Sequence, residues 1–343
     1  MDQQIRVALL GCGRIASRHA SLLSSGSVEG ACLVGASEVN ESRRLEFSDK
    51  FNVKCYESIE SLINEQKPDA VAVLTPSGNH ANDVINLAPQ VKNIIVEKPM
   101  ALNLIDADKM IHECNKHGSR LFVVKQNRFN LPVQKTREAL EKGRFGKLVM
   151  GTVRVRWCRP QSYYDQDSWR GTWKLDGGVL MNQASHHIDL LQWMFGTVES
   201  VMAMSRTALV NIEAEDTAVV ILRFTNGALG VIEATTATRP KDLEGSLSIL
   251  GEHGSVVIGG FAVNKITSWQ FATPEPEDQE VLSKYSVNPP DVYGFGHQEL
   301  YRNIINSIRT GSTQLIDGLE GRKSLELINA IYKSIKTGQE VRI

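Results

Sequence analysis

From Ile5 to Val124, short apolar runs alternate with segments whose apolar residues recur at helical spacing. Ile5–Leu10, Cys32–Ser37, Ala70–Leu74, Asn93–Val96 and Leu121–Val124 read as strands, with helices at Ile15–Ser24, Ser58–Asn64, Ala81–Ala88 and Leu104–Lys116. Apolar strands joined by helical crossovers predict a doubly wound parallel sheet, covered on both faces. Past Val124 the texture changes. A helix near Pro132–Lys142 precedes longer strands, among them Leu148–Trp157, Ala218–Phe224, Ala228–Thr235 and Leu247–Leu250. Hairpin signals at Asn226-Gly227 and Glu252–Gly254 join some of them. The expectation is an α/β chain with two domains. Residues 1–125 carry the parallel sheet, and residues 126–343 form an α+β domain on a large, open, mostly antiparallel sheet. Two closing helices, Gly296–Arg309 and Gly318–Lys336, are free to pack back on the first domain.

Composition narrows the function. At 343 residues and 42% apolar, the chain exceeds one compact core. Lys plus Arg total 38 against 39 for Asp plus Glu, which leaves no general attraction to nucleic acid or an anionic membrane. No apolar stretch reaches the roughly 20 residues of a membrane span, and MDQQIRVALLGCGR lacks a signal-peptide layout, so a cytoplasmic protein is expected. Cys12, Cys32, Cys55, Cys114 and Cys158 lie too far apart for a disulfide framework or paired metal ligands. Reduced thiols and no metal site are expected.

The first chemical signal is Gly11-Cys12-Gly13-Arg14-Ile15-Ala16, a GxGxxA run after a strand and at the start of a helix. Gly11 permits the tight turn, Gly13 lets backbone approach a pyrophosphate, and the helix N-terminus attracts the anion. Glu38 ends the second strand, where a carboxylate accepts from a ribose diol and repels a 2′-phosphate; this favours NAD over NADP, with Arg43 and Arg44 the nearby cations. A second turn at the same edge offers Thr75, Pro76, Ser77 and His80 as cofactor contacts, although its composition equally suits a plain strand-to-helix turn. The stretch Val96-Glu97-Lys98-Pro99 then brings two charges to the ligand edge. Pro99 removes a ladder donor, fixes the backbone that aims Lys98, and admits a cis Lys98-Pro99 bond; an ion pair capping a strand is the plainer alternative.

In the second half, Gly177–Gly196 carries helical periodicity. It puts Met181, Ala184, Ile188, Leu191 and Phe195 on one stripe and Asn182, His186, Asp189 and Trp193 opposite. His186 then points away from the apolar stripe, while His187 near its edge reads as structural.

Taken in order, GCGRIA, TPSGNHA, EKPMALN and GGVLMNQASHHIDLLQWMFG resemble the Gfo/Idh/MocA oxidoreductases over nearly the whole chain. The resemblance implies a Rossmann domain that binds NAD and an open-sheet substrate domain, with Lys98 and His186 catalytic. Glu97, Gln126 and Asn127 would border cofactor or substrate, Arg128 and Asn130 would begin the crossing between domains as substrate contacts, and Trp169 and Arg170 would reach either ligand. Many relatives carry Asp four residues before the catalytic His. Asn182 stands here instead, and an amide can orient a substrate but cannot take a proton. His186 remains as general base, with Lys98 polarising the same hydroxyl; Lys98 is the alternative base if burial and cofactor charge depress its pKa.

Arg154, Arg156, Trp157 and Arg159, followed by Tyr163, Tyr164, Trp169, Arg170 and Trp173, supply guanidinium clamps and aromatic faces, which suits an acidic sugar. Strand alternation separates Arg154 and Arg156 from Trp157 and Arg159, so all four cannot line one site. The run RWCRPQSYYDQDSWRGTWKLDGGVLMNQASHHIDLLQW further resembles a subgroup of bacterial dehydrogenases that oxidise C3 of the nucleotide sugar UDP-N-acetylglucosaminuronate for lipopolysaccharide synthesis. That resemblance implies the Asn182 exchange, tight NAD binding, reoxidation by 2-oxoglutarate in some members, and a homotetramer, with a dimer as alternative. Other readings are an inositol or simple-sugar dehydrogenase, an NAD-dependent glycosidase, and, outside enzymes, an NAD-binding sensor.

Overall fold

The computed structural model describes residues 4–286 and 294–343. They form two compact units, Met1–Val124 with His297–Arg322 and Lys125–Gly296 with Lys323–Ile343.

In the first unit the chain runs β1 (Ile5–Leu10), α1 (Arg14–Ser24), β2 (Ala31–Ser37), α2 (Glu41–Phe51), β3 (Cys55–Tyr56), α3 (Ile59–Gln66), β4 (Ala70–Val73), α4 (His80–Leu87), β5 (Asn93–Val96), α5 (Leu104–His117) and β6 (Arg120–Val123). The sheet order is β3-β2-β1-β4-β5-β6, with every neighbouring pair parallel. The expected doubly wound sheet is therefore present, and β4 and β5 are buried at every position, as strands covered on both faces must be. Strand order reverses between β1 and β4, which opens a crevice at their carboxyl ends. The two-residue β3 escaped the sequence reading because so short a strand has no periodicity to detect.

The second unit begins with a 3₁₀ turn, Gln126–Phe129, and α6 (Leu131–Glu141), then β7 (Leu148–Arg156), the short α7 (Gln161–Tyr164) and α8 (Ser185–Phe195). β8 (Val198–Arg206), β9 (Thr217–Phe224), β10 (Leu229–Thr235), β11 (Glu244–Gly251), β12 (Gly254–Gly259), β13 (Lys265–Phe271) and α9 (Asp278–Lys284) follow. The chain closes with α10 (Gly296–Thr310), α11 (Gly318–Thr337) and β14 (Val341–Arg342). The second sheet runs β13-β12-β11-β7-β10-β9-β8-β14; only β7 and β10 pair in parallel. Both predicted hairpins form, β9 to β10 through Asn226-Gly227 and β11 to β12 through Glu252-His253. Alternating burial along β9 leaves Val219 and Ile221 on an exposed face and Val220 and Leu222 in the core. The sequence reading did not name β8, β12 or β13. Five thiols remain free, and no described helix is long and apolar enough to cross a membrane.

Candidate functional site

At the crevice of the first unit, Gly11 has φ +99°, and an added Cβ would lie 3.0 Å from the Leu74 carbonyl oxygen. Only glycine takes that turn. Gly13 caps α1 without a side-chain bond, and nothing lies within 4 Å of the position its Cβ would take. The first-turn N–H groups of a helix have no intrahelical acceptor, and the open space beside Gly13 leaves room there for a pyrophosphate. The half-buried carboxylate of Glu38 accepts from Cys12 N–H at 3.0 Å and Asn40 N–H at 2.9 Å, which ties the end of β2 to the glycine turn. Arg44 is spent on the Glu38 carbonyl at 2.9 Å.

The second turn divides. Thr75 donates to Asp83 at 2.5 Å and Pro76 precedes a 3₁₀ turn that buries Ser77. His80, expected at the cofactor, is instead buried with Nδ1 2.8 Å from the Pro99 carbonyl and Nε2 2.8 Å from that of Thr75. Its ring has no nitrogen left for a ligand. Glu97 also differs from expectation: its carboxylate turns inward, with Oε1 3.1 Å from His19 Nε2 and Oε2 accepting the Lys98 N–H at 2.9 Å. Burial would raise its pKa, but the His19 bond and the nearby His297 imidazole outweigh that and hold it well below the usual range. The Lys98-Pro99 peptide is cis. Lys98 itself is half-buried, and every other residue from Asn93 to Ala101 is buried.

In the second unit α8 starts only at Ser185, which corrects the longer helix read from periodicity. Residues 179–184 are turns, anchored at their start by Glu215: its carbonyl accepts from Val179 N–H at 2.9 Å and Oε1 from Leu180 N–H at 3.0 Å. Gly178 is required there, since a Cβ would stand 2.1 Å from the Glu215 carboxylate. Asn182 therefore sits in the turn, not on the helix, and donates to Asp176, whose other oxygen accepts Gly171 N–H at 2.8 Å. His186 is buried on α8 with Nε2 2.9 Å from the Gln126 amide nitrogen. Gln126 Oε1 is buried without a hydrogen-bond partner. Such an orphaned acceptor is an opening for a ligand donor.

One turn along α8, Asp189 anchors the polar side that periodicity left unexplained. Arg128 grips it bidentately at 2.7 and 2.9 Å, and Lys125 lies 3.3 Å away. Burial alone would raise the Asp189 pKa; the two cations hold it far below normal. Arg128 is thus committed to an internal ion pair and stacked on Trp193, and Asn130 donates to the Ala262 carbonyl at 3.1 Å, so both differ from the substrate contacts expected of them. His187 packs edge-on against Trp157, its pKa pushed down to about 4 by burial.

Arg159, Tyr163, Arg170 and Trp169 form a stack: Arg159 lies 5.5 Å and Arg170 4.8 Å from the Tyr163 ring, and Arg170 lies 4.6 Å from Trp169. Asp242 and Asp167 hold the two guanidiniums at 2.9 and 3.2 Å. Arg170, Tyr164 and Thr172 also border a cleft of about 400 Å³ with Asn211 and Glu213. Tyr164 itself is buried on Thr236 at 3.0 Å, while Trp173 stays half exposed against Tyr332. Arg154 and Arg156 stand apart, paired with Glu233 and Glu244 on the exposed sheet face.

Sequence reasoning missed His19, Asp176, Glu215, His297 and Tyr301. All but Asp176, which bonds Gly171 and Asn182 nearby, have partners distant along the chain, so no local spacing marks them. Glu215 carries a stability prediction. Burial raises its pKa from 4.5 to about 7. As pH rises from 4.5 to 7 the unfolded chain releases this proton first, so stability falls, and the cost is complete above pH 7. Glu215→Gln keeps an acceptor for Leu180 N–H and the Tyr332 hydroxyl without that charge. Urea unfolding at pH 5 and pH 8 should show the wild type losing roughly 3 kcal/mol that the variant retains; parallel pH slopes would remove Glu215 from this account.

The two units define a class, the NAD-dependent oxidoreductases that act on a CH–OH group, with the first unit as NAD-binding domain. Within it the chain belongs to the Gfo/Idh/MocA family: residues 5–125 match the model "Oxidoreductase family, NAD-binding Rossmann fold" and residues 137–343 the model "Oxidoreductase family, C-terminal alpha/beta domain". It is 30% identical to the myo-inositol 2-dehydrogenase of Thermotoga maritima, over 99% of this chain and 98% of that one. Among solved structures, it is 41% identical to the WlbA dehydrogenase from Bordetella pertussis in complex with NADH and UDP-GlcNAcA, with TM-score 0.92, covering 100% of this chain and 98% of that one. The WlbA enzyme of Chromobacterium violaceum, crystallised with the same two ligands, gives 41% and 0.92, covering 100% and 97%.

Proposed function

We propose that the protein oxidises a secondary hydroxyl, that of C3, on a nucleotide-linked sugar uronate, with UDP-N-acetylglucosaminuronate as substrate. The observation that carries this reading is full-length similarity at 41% to two WlbA enzymes holding that ligand. The Arg159–Tyr163–Arg170–Trp169 stack agrees with it, since two guanidiniums on aromatic faces suit an acidic sugar.

Bound NAD supplies the hydride acceptor. In the proposed mechanism Nε2 of His186 takes the hydroxyl proton, Lys98 donates to the same oxygen and favours its developing charge, and Asn182 orients the sugar. Gln126, whose amide nitrogen lies 2.9 Å from Nε2, is the proposed neighbour that orients the imidazole toward the hydroxyl. Gly11, Cys12, Gly13, Arg14 and Ile15 are the proposed pyrophosphate cradle and Glu38 the ribose acceptor. The protein is proposed to act in the cytoplasm as a homotetramer. Met202, Met204, Val219, Ile221 and Leu229 expose an apolar stretch of the second sheet that suits such an assembly. Reoxidation by 2-oxoglutarate completes the proposed cycle.

The test follows NADH absorbance with UDP-N-acetylglucosaminuronate beside UDP-N-acetylglucosamine and myo-inositol. The uronate should lead in kcat/KM by on the order of 10- to 100-fold, the worth of a charge-assisted contact. A lead for the neutral sugar nucleotide sinks the uronate assignment; a lead for inositol moves the substrate to the class of the Thermotoga relative.

A further inference from the structure

We propose that a buried histidine network grips the backbone on both sides of Lys98, and that His19, His80, His297 and Tyr301 are positioning residues for its ammonium group. The inference rests on the reading of Lys98 as the residue that polarises the alcohol.

On the N-terminal side the network has a defined direction. The Lys98 amide can only donate, so Glu97 Oε2 accepts it at 2.9 Å as a carboxylate oxygen. His19 lies 3.1 Å from Glu97 Oε1 through Nε2 and 2.7 Å from the Tyr301 hydroxyl through Nδ1. An ionised Glu97 takes the Nε2–H, which leaves Nδ1 to accept from the phenol. A chain of donors thus runs Tyr301 to His19 to Glu97, and Glu97 receives the Lys98 backbone from the other side. His297 supports it, with Nε2 3.7 Å from Glu97 Oε1 and its ring edge-on to His19 at 5.5 Å. His19, His297 and Tyr301 have at most 0% of their surface exposed.

The C-terminal side is held independently. His80 bonds the Pro99 carbonyl through Nδ1 and the Thr75 carbonyl through Nε2, both at 2.8 Å. Both contacts face acceptors, so the neutral ring donates to one carbonyl at a time. Burial holds its pKa below the usual value, and the two carbonyl contacts with the Glu97 and Asp83 carboxylates only partly offset that. His80 therefore staples the end of β4 to the residue after Lys98.

The consequence is a frame around one residue less buried than its neighbours. From Asn93 to Ala101 all residues are buried except Lys98. Burying four polar rings and a carboxylate costs more than an apolar packing of equal shape unless each is bonded. What this expensive arrangement accomplishes is to immobilise the atoms either side of one lysine, from α1, α4 and α10. A catalytic donor misplaced by an ångström loses on the order of 100-fold in rate, so such a frame has a kinetic use.

The donor atoms of His19, Glu97 and His297 also lie within 4.8 Å of one another, the spacing of a metal site. His19 and Glu97 already satisfy each other, so the network predicts no bound metal. The experiment compares Tyr301→Phe, which removes one oxygen, and His80→Gln, each in the native enzyme and in Lys98→Met, with metal content measured on all. In the native background kcat should fall about 10- to 100-fold with KM for sugar and NAD unchanged. In Lys98→Met the same changes should cost nothing further. Equal losses in both backgrounds, or a stoichiometric metal ion removed by His297→Ala, overturn the proposal. A native rate in Lys98→Met alone overturns instead the catalytic reading beneath it, and the two failures are told apart by that single variant.

Discussion

Replacement of His186 by asparagine should lower kcat by about 1,000-fold, within the range a general base contributes, while NAD affinity stays at its native value. Asparagine reaches only as far as the ring Nδ1, so it gives up the 2.9 Å contact with the Gln126 amide but adds no bulk to the packing of α8. What it cannot do is take a proton. The expected loss is in turnover because the glycine turn, Glu38 and the open N-terminus of α1 all belong to the first unit, and His186 belongs to the second. Rapid-mixing measurement of NADH formation, beside titration with NAD, checks both halves. Undiminished turnover removes His186 from the base role. Loss of NAD binding would mean that the substitution damaged more than proton transfer.

Lys98→Met should cost on the order of 100- to 1,000-fold in kcat, the value of one preorganised donor to a developing oxyanion. Methionine matches the length of the lysine stem, and the bonds that hold its neighbours run through the Lys98 backbone and the Pro99 carbonyl, which the exchange leaves in place. Fold and cofactor affinity should therefore be native. The measurement is kcat against pH for both enzymes. If the variant keeps the native rate, Lys98 has no part in chemistry. If instead the low rate is restored at high pH in His186→Asn but not in Lys98→Met, the proton acceptor is Lys98 and the two proposed roles exchange.

The predicted and observed structures agree where one residue's neighbours in sequence are also its neighbours in space. β4 reads AVAV and β5 NIIV, each a few residues of unbroken apolar side chains, and a strand buried on both faces needs nothing else. The turn at Gly11 is legible for the same reason, since its demand for glycine is a property of its own backbone. The helix at His186 was misjudged because periodicity continues through residues 181–184, whereas Glu215, far along the chain, takes the backbone amides of Val179 and Leu180 and anchors the start of the turns that precede Ser185. Tertiary bonding overrode local pattern.

Charge shows the same division. Arg128 and Arg159 look alike in sequence, each a guanidinium near aromatic residues. Asp189 claims the first in the core, and Asp242 holds the second against Tyr163 at the surface of the fold. Glu97 and Lys98 are adjacent, yet Glu97 is buried with its carboxylate turned inward to His19 and Lys98 is only half-buried.

By itself, the sequence determined the doubly wound sheet, the glycine turn with its preference for NAD, both hairpins of the second sheet, and the identity of Lys98 and His186 as the residues to test. These depend on side-chain period, backbone allowance and residue chemistry, all local quantities. Only the tertiary structure decided where each charge finds its internal partner. A buried charge must find its partner wherever the fold brings one, and for Glu97, Asp189 and Glu215 that partner lies across a loop of chain whose length carries no local signal.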